Sequence, residues 1–326
     1  MVITQTPLRV SLLGGGTDFV DYYRQRTGCC VSSAINKYVF VIVKERFDDL
    51  IYINYSRKEI VSSVDDIEHE FVREAMRMTG LTRGVEVTML ADIPAEGSGL
   101  GSSSSTIVGL LNAMYAYQGT QIPAETLARQ ACEIEIDRCR KPIGKQDQYI
   151  AAYGGVRVFR FCASGEVDVE HLELCEQRTQ QLQSRLMLFY TGITRSAADI
   201  LEQQKARTAA SLDRLHEIAA LAAEGRDAIA AGCFDRLGRL IDRSWHIKKT
   251  LADNISNATI EGMYERAMGA GAMGAKVCGA GGGGFLMLCC PHERQPFVQA
   301  AMAGYRQVPF AIEQHGSKVI FSYWRH

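Results

Sequence analysis

The chain has no excess of charge of either sign and no long apolar run. Its 326 residues include 36 lysines and arginines against 37 aspartates and glutamates, which gives a net charge of −1. This balance provides no electrostatic basis for binding nucleic acid or an anionic membrane. No apolar stretch is long enough to cross a bilayer, and MVITQTPLRVSLL at the start lacks the pattern of a signal peptide. We therefore expect a cytoplasmic protein with neither kind of partner.

Motifs for disulfides and for zinc are also missing. The ten cysteines are irregularly spaced without a C-x-x-C pair, and the seven histidines form no H-E-x-x-H motif. Reduced thiols in a cytosol fit this pattern better than a disulfide framework or a zinc site. The hydrophobic content of 47% suits one large domain or two ordinary domains with real cores.

Glycine, by contrast, is abundant, and its clearest cluster is IPAEGSGLGSSSSTI at 93–107. Gly97, Gly99 and Gly101 alternate with other residues, and Ser102 to Ser105 precede an apolar run with helical spacing. Small residues let backbone N–H groups converge on an anion, and serines suit a helix N-cap. Because the N-terminus of a helix behind a glycine-rich loop binds phosphate, the stretch predicts a nucleotide-binding enzyme.

Other types of glycine loop fit this stretch less well. A Walker A loop needs a lysine that is absent, and the dinucleotide fingerprint needs glycine where Ser102 stands. A hydrolase elbow needs Gly-x-Ser-x-Gly, which does not occur here. A flexible Ser/Gly linker is disfavoured because a strand-like run, 85–93, comes before the loop and a periodic helix follows it.

Two more glycine turns follow strand-like segments. GGGTDF at 14–19 follows a strand at 2–13 and presents Asp18, which could also be an ordinary turn cap. Arg9 lies within that strand, where a charge either faces water or reaches into a site. The third turn, Gly279 to Gly284, has the spacing of a dinucleotide fingerprint, but the run after it indicates a strand. A dehydrogenase would need a helix there and an acidic residue about twenty positions on, and Glu293 comes too early.

The helix predicted at 125–140 carries an acidic residue on its apolar face. At about 100° per residue, Glu135 falls among the apolar positions, whereas Glu133 and Asp137 fall opposite. A carboxylate aimed at an apolar face is costly unless it is paired or binds a cation. Glu135 is therefore either functional or part of a buried ion pair with an arginine. Asp147 follows in a polar loop, where by itself it could be the N-cap of a short turn.

The remaining patterns predict a mixed α+β chain. A strand is expected at 30–46, with Ile51–Tyr55 as its hairpin partner, and Ser63-x-x-Asp66 resembles a capping box before a helix ending near Thr79. The segment 198–250 is expected to be mostly helical with a break near Gly232.

Together, the three glycine turns and the acids between them resemble the GHMP kinases, the superfamily that includes galactokinase, homoserine kinase and mevalonate kinase. GGGTDF, and GKQDQY with a following Gly-Gly, are most similar to the bacterial D-glycero-D-manno-heptose 7-phosphate kinases. The resemblance implies an α+β fold of two lobes. Residues 1–181 would form a ribosomal-protein-like ATP-binding domain with a left-handed βαβ crossover, and 182–326 a ferredoxin-like domain.

The resemblance also implies roles for individual residues. Asp147 would be the catalytic aspartate with Arg9 beside it, Asp18 would hold sugar hydroxyls, and Ser103 and Glu135 would hold Mg²⁺. The residues implied for ATP are Gly97, Ser98, Gly99, Leu100, Gly101, Ser102, Ser103, Ser104 and Ser105. Those considered for the substrate are Gly15, Gly16, Thr17, Asp18, Lys145, Gln146, Arg195, Lys248, Lys249, Gly281 and Gly282, of which the four basic residues are candidates to clamp a substrate phosphate. Tyr52 and Tyr55 are the expected neighbourhood of adenine.

The implied activity is that of an ATP- and Mg²⁺-dependent sugar 1-kinase that makes heptose 1,7-bisphosphate for lipopolysaccharide or capsule. A fucokinase- or galactokinase-like enzyme acting on a neutral sugar remains the alternative. A catalytically inactive sugar sensor would be expected to have lost Asp147, Glu135 or the serines, and all are present. Assembly into a homo-oligomer remains open.

Overall fold

A computed structural model describes residues 1–93, 97–194 and 197–323, with only the backbone of residue 197. Eleven strands are formed in these ranges: β1 Val2–Leu13, β2 Gly28–Glu45, β3 Ile51–Asn54, β4 Lys58–Val61, β5 Val85–Ala91, β6 Val156–Phe161, β7 Val167–His171, β8 Leu186–Tyr190, β9 Gly274–Val277, β10 Phe285–Cys289 and β11 Lys318–Ser322. The α-helices there are α1 Val20–Tyr23, α2 Glu70–Thr79, α3 Ser102–Tyr117, α4 Ala124–Cys132, α5 Gln146–Tyr153, α6 Glu176–Arg185, α7 Ala197–Ala206, α8 Leu212–Ala231, α9 Phe234–Lys248, α10 Ala258–Gly269 and α11 Gln295–Ala301. The mixture confirms the α+β class.

Eight of these strands form one sheet around the long strand β2. β1 pairs antiparallel with one edge of β2, and β5 and β6 share its other edge. Val39, Val41 and Val43 of β2 are buried, as their alternation predicts. The prediction that Ile51–Tyr55 forms a hairpin with β2 is wrong, because β5 lies between them and β3 pairs parallel with β5. Local alternation indicates a strand but does not identify its neighbour.

Helices cover this sheet and bury its apolar face. α3 packs on β1 and β2, and α8 packs on the same two strands from the second half of the chain. The helix expected before Thr79 is present as α2, but Ser63 caps a separate turn of 3₁₀-helix at Val64–Asp66 instead. The predicted break in the later helices is confirmed at Gly232, whose left-handed conformation ends α8.

The second sheet has the antiparallel order β8-β10-β9 among the described strands. The glycine turn at 279–284 joins β9 directly to β10, so no helix follows it and a dinucleotide site is excluded there. The chain then returns to the first sheet, where β11 pairs with β1. The domain boundary at 181/182 and the handedness of the crossover stay predictions.

Two features considered from the whole sequence are membrane-spanning helices and disulfide bonds. Within the described ranges, no helix combines the length and the apolar character that a membrane span requires. All ten cysteines fall in these ranges and all are free thiols.

Candidate active site

A cleft of about 160 Å³ opens where the glycine turns of both halves of the chain meet. Its lining residues are Arg9, Ser11, Gly15, Gly16, Asp18, Phe19, Gly97, Ser98, Gly99, Gly101, Ser102, Ser103, Ile143, Gly144, Gln146, Asp147, Leu201, Gln204, Lys248, Gly279 and Ala280. The cleft therefore unites residues from all three glycine-rich motifs and from both acidic positions, Asp18 and Asp147.

Arg9 and Asp147 form a buried, two-pronged ion pair in the cleft. The Nε atom of Arg9 donates to Oδ1 of Asp147 at 2.8 Å, and Nη2 donates to Oδ2 at 2.5 Å. The remaining nitrogen, Nη1, donates to the carbonyl of Gly99 at 2.5 Å. Burial acts to lower the pKa of Arg9, but the adjacent Asp147 outweighs it, so this pKa is raised. The guanidinium therefore stays charged and fixes the orientation of the carboxylate.

The structure corrects the local setting of Asp147. α5 begins at Gln146, so Asp147 lies in the first turn of a helix and not in a loop before a short turn. Its carboxylate accepts from the guanidinium of Arg9 and from Nε2 of Gln146, at 3.2 Å. The N-cap alternative is therefore wrong, because these side chains occupy the carboxylate and the N-cap position is held by Lys145.

Asp18 is a second buried carboxylate in the same cleft. It accepts from the backbone N–H groups of Gly16 at 3.0 Å and Gln146 at 3.2 Å. Burial and the nearby Asp147 raise its pKa, against the lowering effect of those two N–H groups. A Cβ atom on Gly144 would lie 2.0 Å from Oδ2 of Asp18, so only glycine allows this approach.

The phosphate-loop prediction agrees with the geometry at the start of α3. Gly101 is the N-cap, with a φ of 77° and no side-chain hydrogen bond, so the serines lie inside the first turn and are not caps. The backbone N–H groups there lack a capping side chain, which leaves them available to an anion. Ser102 and Ser103 line the cleft, and the buried hydroxyl of Ser102 has no hydrogen-bond partner among the described residues.

Not every residue of the predicted ATP loop faces the cleft. The side chain of Leu100 is fully buried in the core. The hydroxyl of Ser105 donates to the carbonyl of Pro7 at 2.8 Å, and that of Ser104 donates to Glu135 at 2.7 Å. These side chains position the loop, whereas the glycines and the first serines form its open surface.

Glu135 lies on the buried face, as its helical position predicts, at the start of a π-helical segment, Glu133–Arg138. Its carboxylate accepts from the hydroxyls of Ser103 and Ser104 and from Nε2 of Gln148. Burial raises its pKa, although the two serine hydroxyls act against this shift. Among the described residues, no lysine or arginine forms an ion pair with it, so the arginine alternative is not found.

The donor set around Glu135 suits Mg²⁺. The carboxylate and the hydroxyl of Ser103 offer oxygen ligands beside the cleft, and Mg²⁺ needs only one or two protein ligands when substrate phosphates supply the others. No cluster of three or more acidic, histidine or cysteine ligands occurs in the described part of the chain. A magnesium ion here would therefore depend on a bound nucleotide.

The two glycine loops touch each other at the edge of the cleft. A Cβ atom on Gly99, whose φ is 70°, would lie 2.3 Å from the carbonyl of Cys278. Glycine at this position allows the ATP loop to lie directly against the loop between β9 and β10. Gly279 and Ala280 of that second loop reach the cleft, whereas Gly281 and Gly282 do not line it and pack near Ile255.

Of the three basic substrate candidates that the structure describes, one lies in the cleft. Lys248 lines it and donates to the carbonyl of Gly279, and burial together with Arg9 lowers its pKa to about 8. Lys145 instead donates to the carbonyl of Gly165, at 2.6 Å, and does not line the cleft. Lys249 pairs with Glu261 at 3.0 Å. Arg195 lies outside the described residues.

Thr17 and the two tyrosines are also placed away from the cleft surface. The hydroxyl of Thr17 donates to the carbonyls of Gly14 and Cys29 and holds the turn itself. Tyr52 lies beneath the guanidinium of Arg46, and Tyr55 packs edge-on against His69. The expectation that these tyrosines neighbour adenine stays a prediction.

Three residues of the site were missed by the sequence reasoning. Ser11 donates to Oε1 of Gln146 at 3.0 Å, and Gln148 donates to Glu135 at 2.7 Å. Gln204 of α7 is 9% exposed and lines the cleft, and within the described part of the chain its Nε2 has no hydrogen-bond partner. Ser11 was detectable as a polar residue two positions after Arg9 on the same strand face, but nothing in the sequence marks Gln204.

Comparison with known proteins agrees with this arrangement. Residues 67–155 match the family described as GHMP kinases N terminal domain, and residues 226–306 match GHMP kinases C terminal. The D-glycero-alpha-D-manno-heptose 7-phosphate kinase of Campylobacter jejuni is 32% identical, over 97% of this chain and 97% of that protein. A bifunctional L-fucokinase of Bacteroides fragilis is 28% identical over 87% of this chain, which corresponds to 34% of its own length.

A solved structure gives the same result for the fold. A D-glycero-D-manno-heptose 1-phosphate kinase from Bacteroides thetaiotaomicron superimposes with a TM-score of 0.84, at 26% identity, covering 99% of this chain and 100% of its own. With a phosphate loop, two buried carboxylates and near full-length similarity to a sugar-phosphate kinase, the chain belongs to the GHMP kinase family and is a sugar kinase that uses ATP as phosphate donor.

Proposed function

We propose that the protein phosphorylates the anomeric hydroxyl of D-glycero-D-manno-heptose 7-phosphate and so produces the 1,7-bisphosphate and ADP. The observation that carries this proposal is the buried pair of Arg9 and Asp147 in one cleft with the open N-terminus of α3. The near full-length similarity to the C. jejuni heptose 7-phosphate kinase supports the choice of sugar.

In this proposal each group has a simple role in the transfer. Asp147 accepts the proton of the anomeric hydroxyl, whose oxygen forms a bond to the γ-phosphorus of ATP while the bond to the bridging oxygen of ADP breaks. Arg9 holds the carboxylate in place through two hydrogen bonds. Backbone N–H groups at the start of α3 stabilise negative charge on the phosphates. Asp18 accepts hydrogen bonds from sugar hydroxyls.

Ser103 and Glu135 are the residues that would hold Mg²⁺. The ion would neutralise charge on the ATP phosphates and help align them for transfer. Glu135 fits this role because it is a buried carboxylate with only neutral hydrogen-bond partners among the described residues. The hydroxyl of Ser103 is free to turn from Glu135 toward a ligand, since it lies on the cleft surface.

We place the reaction in the cytoplasm, in the formation of activated heptose for lipopolysaccharide or capsule. The ten free thiols support a reducing compartment. The alternative of a neutral sugar rests on the contents of the cleft. Its basic side chains among the described residues are Arg9, which pairs with Asp147, and Lys248, which donates to the carbonyl of Gly279. The lining therefore offers few cations to bind a substrate phosphate.

The test is ADP release from Mg-ATP with D-glycero-D-manno-heptose 7-phosphate, D-galactose, L-fucose and mevalonate. Asp147→Asn is assayed in parallel, with Asp137→Asn as the control, because Asp137 is an exposed carboxylate close in the chain. We expect turnover on the heptose phosphate, abolished by Asp147→Asn and retained by Asp137→Asn. Turnover on galactose or fucose alone would establish the neutral-sugar alternative, and equal activity of both variants would refute the role of Asp147.

A further inference from the structure

Lys276 is a buried lysine that the mechanism above does not use. It lies on β9, the edge strand of the second sheet, is 3% exposed, and does not line the cleft. Its ammonium crosses to the first sheet and donates to the carbonyl of Ser11 at 2.8 Å and to that of Leu12 at 3.3 Å. A buried ammonium is costly unless it is well hydrogen-bonded, so this placement requires an explanation.

The two acceptor carbonyls lie where the ladder between β1 and β2 is interrupted. Ser11 pairs with Ser32 and Leu13 pairs with Val31, so Leu12 is an extra residue on β1. Such a bulge bends the strand and leaves the extra residue unpaired. Lys276 therefore provides, from the other half of the chain, donors for the carbonyl of the bulged Leu12 and for that of Ser11 beside it.

The bulged end of β1 is connected directly to the reaction centre. The hydroxyl of Ser11 donates to Oε1 of Gln146, and Nε2 of Gln146 donates to Oδ1 of Asp147. Arg9 lies two residues before Ser11 on the same strand face, and its guanidinium holds the same carboxylate. A shift of this end of β1 would therefore move both sets of donors that orient Asp147.

We propose that Lys276 is a positioning residue for phosphoryl transfer: it anchors the bulged end of β1 and, through Ser11 and Gln146, fixes the carboxylate of Asp147. It touches neither substrate nor nucleotide. Burial, together with the neighbouring Lys248, lowers the pKa of Lys276 to about 7. The neutral amine keeps two N–H groups, so hydrogen bonds to both carbonyls can form in either protonation state. The proposal rests on the kinase activity but not on which sugar is phosphorylated.

The test is a double-mutant cycle with Lys276→Met and Ser11→Ala. Ser11→Ala keeps the backbone carbonyl bound by Lys276 but removes the hydroxyl that reaches Gln146. We expect Lys276→Met to lower kcat about 10- to 100-fold with less than about a 3-fold change in KM for ATP. A displaced catalytic group slows the chemical step, whereas the contacts that bind ATP are retained. We expect Ser11→Ala to lower kcat about 3- to 10-fold in the wild type but to cause little further loss in the Lys276→Met background.

Each other result would overturn the proposal. A merely structural lysine would lower the unfolding temperature in Lys276→Met while kcat stayed within about 2-fold of the wild type. Multiplicative losses in the double variant would show that the lysine does not act through Ser11. If Lys276→Met does not fold, Ser11→Ala alone decides, because full kcat in that variant refutes the connection. Lys44→Met, which breaks a surface ion pair with Glu86, is the matched control.

A wrong sugar assignment does not affect this cycle. The variants are compared on whichever sugar of the panel the wild type phosphorylates, or on its slow hydrolysis of ATP when it uses none. Failure of the heptose phosphate as substrate therefore refutes the proposed function, whereas loss of coupling between Lys276 and Ser11 refutes only the positioning role.

Discussion

Neutralising both members of the pair between Arg9 and Asp147 should destabilise the protein by much less than the sum of the two single losses. The two side chains are 4% and 9% exposed and share two hydrogen bonds. Two unit charges about 4 Å apart attract by about 4 kcal/mol at an effective dielectric constant of about 20. Asp147→Asn keeps the shape of the side chain but leaves the guanidinium of Arg9 buried without its counter-charge.

We expect Asp147→Asn to lower the free energy of unfolding by about 3 kcal/mol, as is typical when one partner of a buried pair is removed. Arg9→Met should cost a similar amount, since it also loses the hydrogen bond to Gly99. The double variant should be more stable than the sum of the two losses by about 2 to 4 kcal/mol, because neither charge then remains unpaired. Urea unfolding followed by the fluorescence of the buried Trp245 measures all four proteins.

Activity should not follow stability in this series. Asp147→Asn should lower kcat by about 10²- to 10⁴-fold, the usual contribution of a general base, and the double variant should be no more active than Asp147→Asn although it is no less stable. Additive losses of stability would refute a coupled buried pair. A double variant with restored turnover would refute the idea that the carboxylate accepts the proton.

Three further predictions concern the metal, the pH profile and the sugar. Glu135→Gln keeps a hydrogen-bonding side chain but removes its charge. We expect kcat to fall about 100-fold or more and the Mg²⁺ concentration that gives half-maximal rate to rise. If that concentration is unchanged, Glu135 does not bind the metal. Lys248 loses its positive charge as pH rises through its pKa of about 8, so kcat should decline above that pH, and Lys248→Met should lack this limb in the pH–rate profile. Gln204→Leu should raise KM for the sugar about 10- to 100-fold and leave KM for ATP unchanged, as expected for a lost hydrogen bond to substrate. The control is Glu202→Ala, at an exposed position on the same helix. Equal effects on both KM values would contradict a contact between Gln204 and the sugar.

Several parts of the site could be predicted because they depend on local periodicity. The inward direction of Glu135 follows from its position relative to the apolar residues of its own helix, and the structure confirms that it is buried. The strand after Gly284 likewise follows from a short apolar run, and it excluded a dinucleotide site before any fold was known. These signals need only neighbouring residues.

Other features depend on residues that are far apart in the chain. Arg9 and Asp147 are separated by 138 positions, and only the packing of α5 against β1 brings their side chains together. The family resemblance predicted that Arg9 lies beside Asp147. The residue pattern alone left two interpretations of Arg9 open, a charge facing water at a sheet edge or a residue of the site. The pairing of β3 with β5 instead of β2 was likewise decided by the order of strands in the sheet.

The order and type of residues along the chain were enough to predict the chemistry: a loop suited to phosphate, an inward carboxylate, and the set of motifs that indicates a sugar kinase. The tertiary structure decided which charges act together. Lys145 and Lys249 have the same side chain as Lys248, yet they bond to Gly165 and Glu261 outside the cleft, while Lys248 lies inside it. The physical reason is that a side chain's type is local, but its burial and its partners depend on what the rest of the chain packs around it.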